Sequence, residues 1–531
     1  MKTDILFVVP STKPNLKDES IGTLILAKKA IMAGFSAKIV RFWEASQNLS
    51  NYTLFCKDMV YYIMGEHPLI LSFYCRCSDY HICLDLSRRI KEIDSSIKIV
   101  FGGPQAELVA RETLEYFPFV DYVCCSEGEN TIVPLLDNII TKKNNIDYSK
   151  VLGLTYRNND NQIEQNDFPE LLPNNYIRGF SYYDLIPQQV IENNKGTNID
   201  VGRGCPFNCS FCSTKTFWRK KYRLRNIEDI VKEIQELWDN YRIRNYSFDH
   251  DLFTVNHVKI KEFCRLTKDK GLDIEWYCSS RIDTITEELI DVMKDAGCYK
   301  ILYGIETGSP RMQKIINKNL ELDKCESVIK YTLAKGLKVV ASFIYGFPED
   351  SEEDFEYTFE LMQKLQSLGA KTIAWRCGIL NGTEMYERYK NNLTIEGGNA
   401  FNSSFWGFDE LFPMIKKHKD VFPHFYEFQN NLRSELVYLE IFRSIWNYYD
   451  SNTYNRMCSY FINCKYPLLE MYRSFVKVNH SVLESIHQKP EDIYWGATLE
   501  ECELMTLNFL NYHLPIETIK KKYNESTANN K

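Results

Sequence analysis

Along the N-terminal part of the chain, apolar residues come in short continuous runs separated by stretches with helical spacing. Asp4–Val9, Ala37–Phe42, Leu69–Phe73, Ile97–Phe101 and Tyr122–Cys125 are such runs, the pattern of strands buried on both faces of a parallel sheet. Between them, Ile21–Gly34 and Tyr80–Asp94 have the apolar period of helices, and Gly34 is a natural helix stop. This alternation predicts an α/β doubly wound, flavodoxin-like sheet with its ligand beyond the strand C-termini. The loops at that edge are Pro10–Ser20, Cys75–Tyr80, Gly102-Gly103-Pro104-Gln105 and Ser126-Glu127-Gly128-Glu129. Glycines in the last two let a bulky ligand approach the backbone.

The alternation restarts near Gly196. Ile199–Gly202, Tyr246–Phe248, Glu275–Cys278, Lys300–Tyr303, Val339–Tyr345 and Thr372–Arg376 read as strands, and Ile227–Tyr241 as an amphipathic helix after the first. Six parallel strands with no sign of two more predict a partial β/α barrel, with its site at the strand C-terminal ends. Leu432–Asn447 and Tyr460–Val476 read as aromatic-rich amphipathic helices. The predicted organisation is a sheet domain over 1–145, a linker over 146–195, the partial barrel over 196–392 and a helical domain over 393–531.

Composition narrows the class. A chain of 531 residues should divide into about three domains. Its 25% charged and 44% apolar residues are ordinary for a globular protein, and a net charge of −7 argues against nucleic acid as a partner. Met1-Lys-Thr-Asp leads directly into an apolar run without the basic start of a secretory signal. No segment approaches the roughly 20 apolar residues of a membrane span. Seventeen scattered cysteines fit a reducing cytoplasm.

Chemistry concentrates in Cys205, Cys209 and Cys212, a C-x₃-C-x₂-C triplet on one short loop. A zinc knuckle needs a fourth Cys or His, and the next histidine is the distant His250. Three thiolates hold three irons of a [4Fe-4S] cubane and leave the fourth open to bind another molecule. Cys75, Cys77 and Cys83 have no familiar metal spacing and read as loop or core thiols, while His81 reads as a helix-start residue. Tyr303 and Tyr345 read as packing residues. Cys458, Cys464 and Cys502 lack the paired spacing of a second cluster.

The triplet, with Gly304-Ile-Glu-Thr-Gly308 at the fourth barrel strand and Ser342-Phe-Ile-Tyr-Gly-Phe-Pro348 at the fifth, resembles the radical S-adenosylmethionine (SAM) superfamily. Val100-Phe-Gly-Gly-Pro-Gln-Ala106, Asp121-Tyr-Val and Glu127-Gly-Glu129 resemble the cobalamin-binding domain that precedes some radical SAM domains. The resemblance implies a [4Fe-4S] cluster on Cys205, Cys209 and Cys212. It implies SAM bound near Phe211, Ser279, Gly304, Glu306 and Ile344, and cobalamin near Gly102, Gly103, Pro104, Gln105, Gly128 and Glu129. No D-x-H-x-x-G motif is present, so cobalt is expected without a histidine from this domain.

Glu306, His250, Asp251 and Arg281 are the candidate catalytic groups. Arg281 either acts in the site or pairs with Asp283 or Glu306. His250 is either a satisfied polar residue or a proton carrier kept chargeable by its flanking aspartates. Asn381 stands where relatives usually carry a proline before Gly382-Thr383.

The implied activity is a cobalamin-dependent radical SAM methyltransferase. A 5′-deoxyadenosyl radical would activate an unactivated carbon of a peptide or natural-product precursor, with methylation by way of cobalamin. The alternatives are a non-methylating cyclase or rearrangement enzyme of the same architecture, or a cobalamin- or SAM-sensing module. An external flavodoxin or ferredoxin is the expected electron donor.

Overall fold

The structure, a computed structural model, describes residues 2–142, 147–194, 196–395, 407–428 and 477–481. The predicted helices 432–447 and 460–476, with Cys458, Cys464 and Cys502, lie outside the described residues.

The first sheet contains β1 (Thr3–Val9), β2 (Ala37–Arg41), β3 (Pro68–Tyr74), β4 (Lys98–Gly102), β5 (Tyr122–Cys124), β6 (Leu154–Arg157) and β7 (Ile163–Gln165). Its order is β2-β1-β3-β4-β5-β6-β7. The first five strands are parallel, and β6 and β7 are added antiparallel at one edge. The 2-1-3-4-5 order is that of a flavodoxin-like doubly wound sheet. Order reverses between β1 and β3, so the switch-point loops are those after Val9 and Tyr74. Five of the seven β3 residues are fully buried, which is why the run carries no alternation.

One expectation needs correcting. The segment 146–195 is not a plain linker, because β6 and β7 extend the first sheet well past residue 145. Their short, mixed sequences hid them: Ile163-Glu-Gln is an edge strand with little to bury.

Helix ends follow local chemistry. Ser20 caps Ile21–Met32 by accepting from the Thr23 amide, and Gly34 follows in the left-handed region at φ +92°. Asn226 caps Ile227–Tyr241 in the same way, through the Asp229 amide.

A second sheet contains β8 (Gly196–Asp200), β11 (Asn245–Asp249), β12 (Glu275–Ser280), β13 (Cys298–Glu306), β14 (Lys338–Tyr345) and β15 (Lys371–Arg376), in the order β15-β14-β13-β12-β11-β8. Between β8 and β11 lies a two-residue antiparallel ladder of β9 (Gly202–Arg203) and β10 (Arg223–Leu224). Among the described residues no strand closes the second sheet into a full barrel. The chain divides into two compact units within β13. One holds Met1–Tyr303, Ala334–Lys338 and Gly378–Glu427; Gly304–Leu333 and Val339–Cys377 belong to the other.

In the first unit, β12 alternates cleanly. Trp276, Cys278 and Ser280 are buried against helices, while Tyr277 and Ser279 on the opposite face stay partly open. Trp276 anchors the buried face. It stacks on Phe248 at 4.6 Å, meets Phe263 of the helix His257–Asp269 edge-on, and donates Nε1–H to the Ala296 carbonyl. Trp276→Ala should therefore cost about 3–5 kcal/mol by leaving a cavity and an unmet carbonyl. Denaturant unfolding checks this, and Trp276→Phe should cost less.

Candidate functional site

The triplet lies on the loop that the β9–β10 ladder closes at its base. Two glycines make that closure possible. A Cβ on Gly204, at φ +85°, would sit 2.1 Å from the Lys221 carbonyl oxygen, and one on Gly202 would sit 2.3 Å from that of Arg223. Cys209 is buried, and Cys205 and Cys212 are partly open.

Burial, and then the neighbouring Cys212 and Cys209, push the Cys205 thiol up to about 11. A buried thiol crowded by its neighbours in this way makes a site that a cationic cluster would relieve. Among the described residues no three His, Cys, Asp or Glu side chains converge on one point as a single ion requires. Three cysteines on one short loop, one buried and two partly open, are a donor set that fits a three-ligand [4Fe-4S] site.

Asp251 and Arg281 organise this loop. Asp251 accepts from the Gly204 amide at 2.9 Å and from the Thr214 hydroxyl at 3.1 Å, bracketing the triplet. Arg281 is buried, with Nε and Nη2 on Asp283 at 2.9 and 2.8 Å, and Nη1 3.8 Å from the Cys209 sulfur. Its guanidinium also lies 3.7 Å over the Phe207 ring. Burial alone would lower its pKa, but Asp283 and the cysteines Cys209 and Cys205 outweigh that and raise it. A fixed positive charge thus stands beside the thiolates. The pairing with Asp283 and the place in the site coexist.

Of the two readings of His250, the geometry favours the satisfied polar residue. It is buried, Nδ1 accepts from the Leu252 amide at 2.8 Å, and Nε2 donates to the Arg223 carbonyl at 3.2 Å. Burial outweighs the charge of Asp251 and lowers its pKa to about 4, so the imidazole is neutral near pH 7. The flanking aspartates do not keep a charged form available, and both nitrogens serve the loop base.

In the sequence Asp249 stands out only as a flank of His250 and as part of a D-D-x-F-like segment with Asp251 and Phe253. It ends β11 on the face opposite Phe248, accessible yet enclosed by protein on most sides. Burial, then the carboxylates of Asp200 and Asp251, push it up to about 6 against the opposing charge of Arg203. Its charge also reaches the Tyr74 phenol at the end of β3. Ser279 opens on the same side of the second sheet, and Phe211 is half-buried within the triplet.

The loops of the first sheet are used unevenly. A Cβ on Gly103, at φ +103°, would lie 2.9 Å from the Cys75 carbonyl oxygen, so glycine lets two switch-edge loops touch. The Cys75 amide donates to Gly102 and the Gln105 amide to Cys75. Gly102, Gly103 and Pro104 remain partly open. Gln105 is buried, and its amide group donates to Asn381 Oδ1 at 3.0 Å and to the Val421 carbonyl at 2.9 Å. Asn381 in turn donates to the Asp420 carbonyl, which gives that residue a purpose a proline could not serve. Gly128 packs against Leu26. Glu129 accepts from Arg203, at 2.5 Å.

In the second unit, Glu306 ends β13 in the left-handed region at φ +72°, a strained conformation for a non-glycine residue. Its Oε1 accepts from Lys318 Nζ at 2.8 Å. A Cβ on Gly304 would meet that same oxygen at 2.6 Å, so the glycine makes room for the carboxylate. Lys318, which no sequence motif marked, thus balances the charge of Glu306. On β14, Ser342 and Ile344 are partly open, while Phe343 and Tyr345 are buried.

Residues 199–362 match the radical SAM superfamily, and the chain carries a radical SAM domain. An uncharacterised methyltransferase of Pyrococcus horikoshii is 29% identical over 354 residues, covering 64% of this chain and 75% of that protein. An anaerobic magnesium-protoporphyrin IX monomethyl ester cyclase of Rubrivivax gelatinosus is 26% identical over 281 residues, 51% of this chain and 50% of its own. In fold, the chain is similar to the radical SAM methyltransferase TsrM of Kitasatospora setae, solved with cobalamin and a [4Fe-4S] cluster. That likeness has a TM-score of 0.60 at 15% identity and covers 75% of this chain and 81% of TsrM.

The raised carboxyl of Asp249 gives a test that needs no cofactor. Its ordinary value is 3.8 and its folded value about 6. The folded state therefore prefers the protonated form, and stability is lost as pH rises between those values. Asp249→Asn should unfold at a higher temperature than the parent above pH 6, with the gain fading as pH falls towards 3.8. Thermal unfolding across that range checks the sign, and a gain that grows on acidification would refute it.

Proposed function

We propose that this radical SAM enzyme is a cobalamin-dependent methyltransferase acting on an unactivated carbon of a peptide or natural-product precursor. One observation carries the reading. The strand C-terminal edge of a 2-1-3-4-5 sheet and the cysteine loop of a radical SAM domain meet in one compact unit, joined through Glu127, Glu129 and Arg203.

When bound, the cluster with SAM supplies a 5′-deoxyadenosyl radical and cobalamin supplies a methyl group. The chain's own residues hold and orient. Cys205, Cys209 and Cys212 ligate the cluster, and Arg281 sets a positive charge beside Cys209. Asp251 fixes the loop at Gly204 and Thr214. Glu306, turned by its left-handed backbone and balanced by Lys318, accepts hydrogen bonds from SAM. Gly102, Gly103 and Pro104 leave backbone open to the corrin. Asp249, ionising near neutrality, can take or return a proton at the substrate. Among the described residues no helix is long and apolar enough to cross a membrane. We place the enzyme in the reducing cytoplasm with an external flavodoxin or ferredoxin as donor.

A second reading, non-methylating radical chemistry, is favoured by the similarity to the cyclase of Rubrivivax gelatinosus. Anaerobically reconstituted protein given SAM labelled in its methyl group separates them. Label in the product supports methyl transfer. 5′-Deoxyadenosine without transferred label supports the second reading, and neither product would point to a sensing module. Changing Cys205, Cys209 and Cys212 together to Ala should abolish 5′-deoxyadenosine formation. Arg281→Gln should lower cluster retention or SAM cleavage by roughly 10- to 100-fold, the usual cost of losing a group that supports a metal ligand; iron content and product yield measure it.

A further inference from the structure

The β9–β10 ladder pairs Arg203 directly with Arg223. Like charges opposite one another destabilise an antiparallel pair, and this ladder is only two residues long. The carboxylate that meets both arginines comes from the loop after β5 of the first sheet, while Asp200 lies farther from Arg203 at 3.7 Å. Glu127 is buried, with Oε1 2.7 Å from Arg203 Nη1 and 2.8 Å from Arg223 Nη1. Its Oε2 accepts from Arg223 at 2.9 Å and from the Leu172 amide at 2.5 Å. Glu129 takes the other terminal nitrogen of Arg203. The residue after Arg203 is Gly204, and the next is the ligand Cys205. The stem of the cysteine loop is therefore held shut, and held to the first sheet, by two carboxylates of that sheet.

We propose that Glu127 and Glu129 do not contact cobalamin but are positioning residues that tether the cysteine loop, and so the cluster, at one fixed place relative to the cobalamin-side loops. This deepens the functional reading and rests on it. It replaces cofactor binding by Glu129 with an ionic tether across the two sheets. Every acceptor oxygen described for Glu127 is already engaged within the protein, which leaves it no role at an open edge.

Amide hydrogen exchange on the full chain without cofactors is the first test, with Glu129→Gln, Glu127→Gln and Arg203→Gln compared with the parent. All three should speed exchange in 204–222 by roughly tenfold or more, the loss expected when a local opening becomes easier. Unchanged exchange there would overturn the proposal. Glu129→Gln is the mildest change, so it keeps the test open if Glu127→Gln fails to fold.

The second test reconstitutes the parent and Glu129→Gln with cob(II)alamin and with the cluster reduced by one electron from an added chemical reductant to its paramagnetic [4Fe-4S]+ state. Pulsed EPR between the two paramagnetic centres should give a broader distance distribution in the variant, and visible titration should give cobalamin affinity within about twofold of the parent. Affinity weakened roughly tenfold or more in Glu129→Gln but unchanged in Arg203→Gln would make Glu129 a cofactor ligand and overturn the proposal. A parent that binds no cobalamin would defeat the functional reading instead, and the exchange result would still decide the tether.

Discussion

Glu127 sits between two arginines that face each other across a two-residue ladder, with Glu129 and Asp200 as further partners of Arg203. Removing one partner of such a group typically costs about 3–5 kcal/mol, because an uncompensated charge is left behind. The same carboxylate closes the base of the cysteine loop and joins the two sheets of the first unit. Much of the site geometry hangs from it. Gly202 and Gly204 allow the backbones to approach, Asp251 catches the loop just beyond, and His250 caps the Arg223 carbonyl from beneath.

Around that anchor, charge is distributed by role. Positive groups stand where anionic ligands gather: Arg281 beside Cys209, and in the second unit Lys318 beside Glu306. Asp249 is the exception, a carboxyl crowded by two others and opposed by Arg203. Perturbation of that kind is common at reacting centres because it brings proton exchange into the working pH range. His250 shows the opposite outcome of burial, a titratable group silenced by its surroundings.

What could be read from the sequence was whatever depends on neighbours in the chain. Apolar runs marked the buried strands β1, β3 and β4, the triplet marked the cluster loop, and the flanking glycines marked Glu306. What escaped depends on residues far apart. Glu129 and Gln105 looked like cofactor groups because they follow strands at a ligand edge, yet their partners Arg203, Asn381 and Val421 come much later in the chain. For His250 the two flanking aspartates left both a charged and a neutral ring open, and only its burial decides for the neutral one. β6 and β7 were missed because edge strands need no apolar run.

The cysteine loop also constrains when its site can form. Its ties run back to Glu127 and Glu129, forward to Asp251, and on to Gly382 and Met385, whose partners are Thr216 and Ser210. Contacts so widely separated along a chain form late, after their loop-closure entropy has been met. A nascent chain emerging from the ribosome exposes the three cysteines long before Met385 is made. Cluster insertion into a finished site thus has to wait until Met385 has left the ribosome, and until then the thiols stand in an unbraced loop.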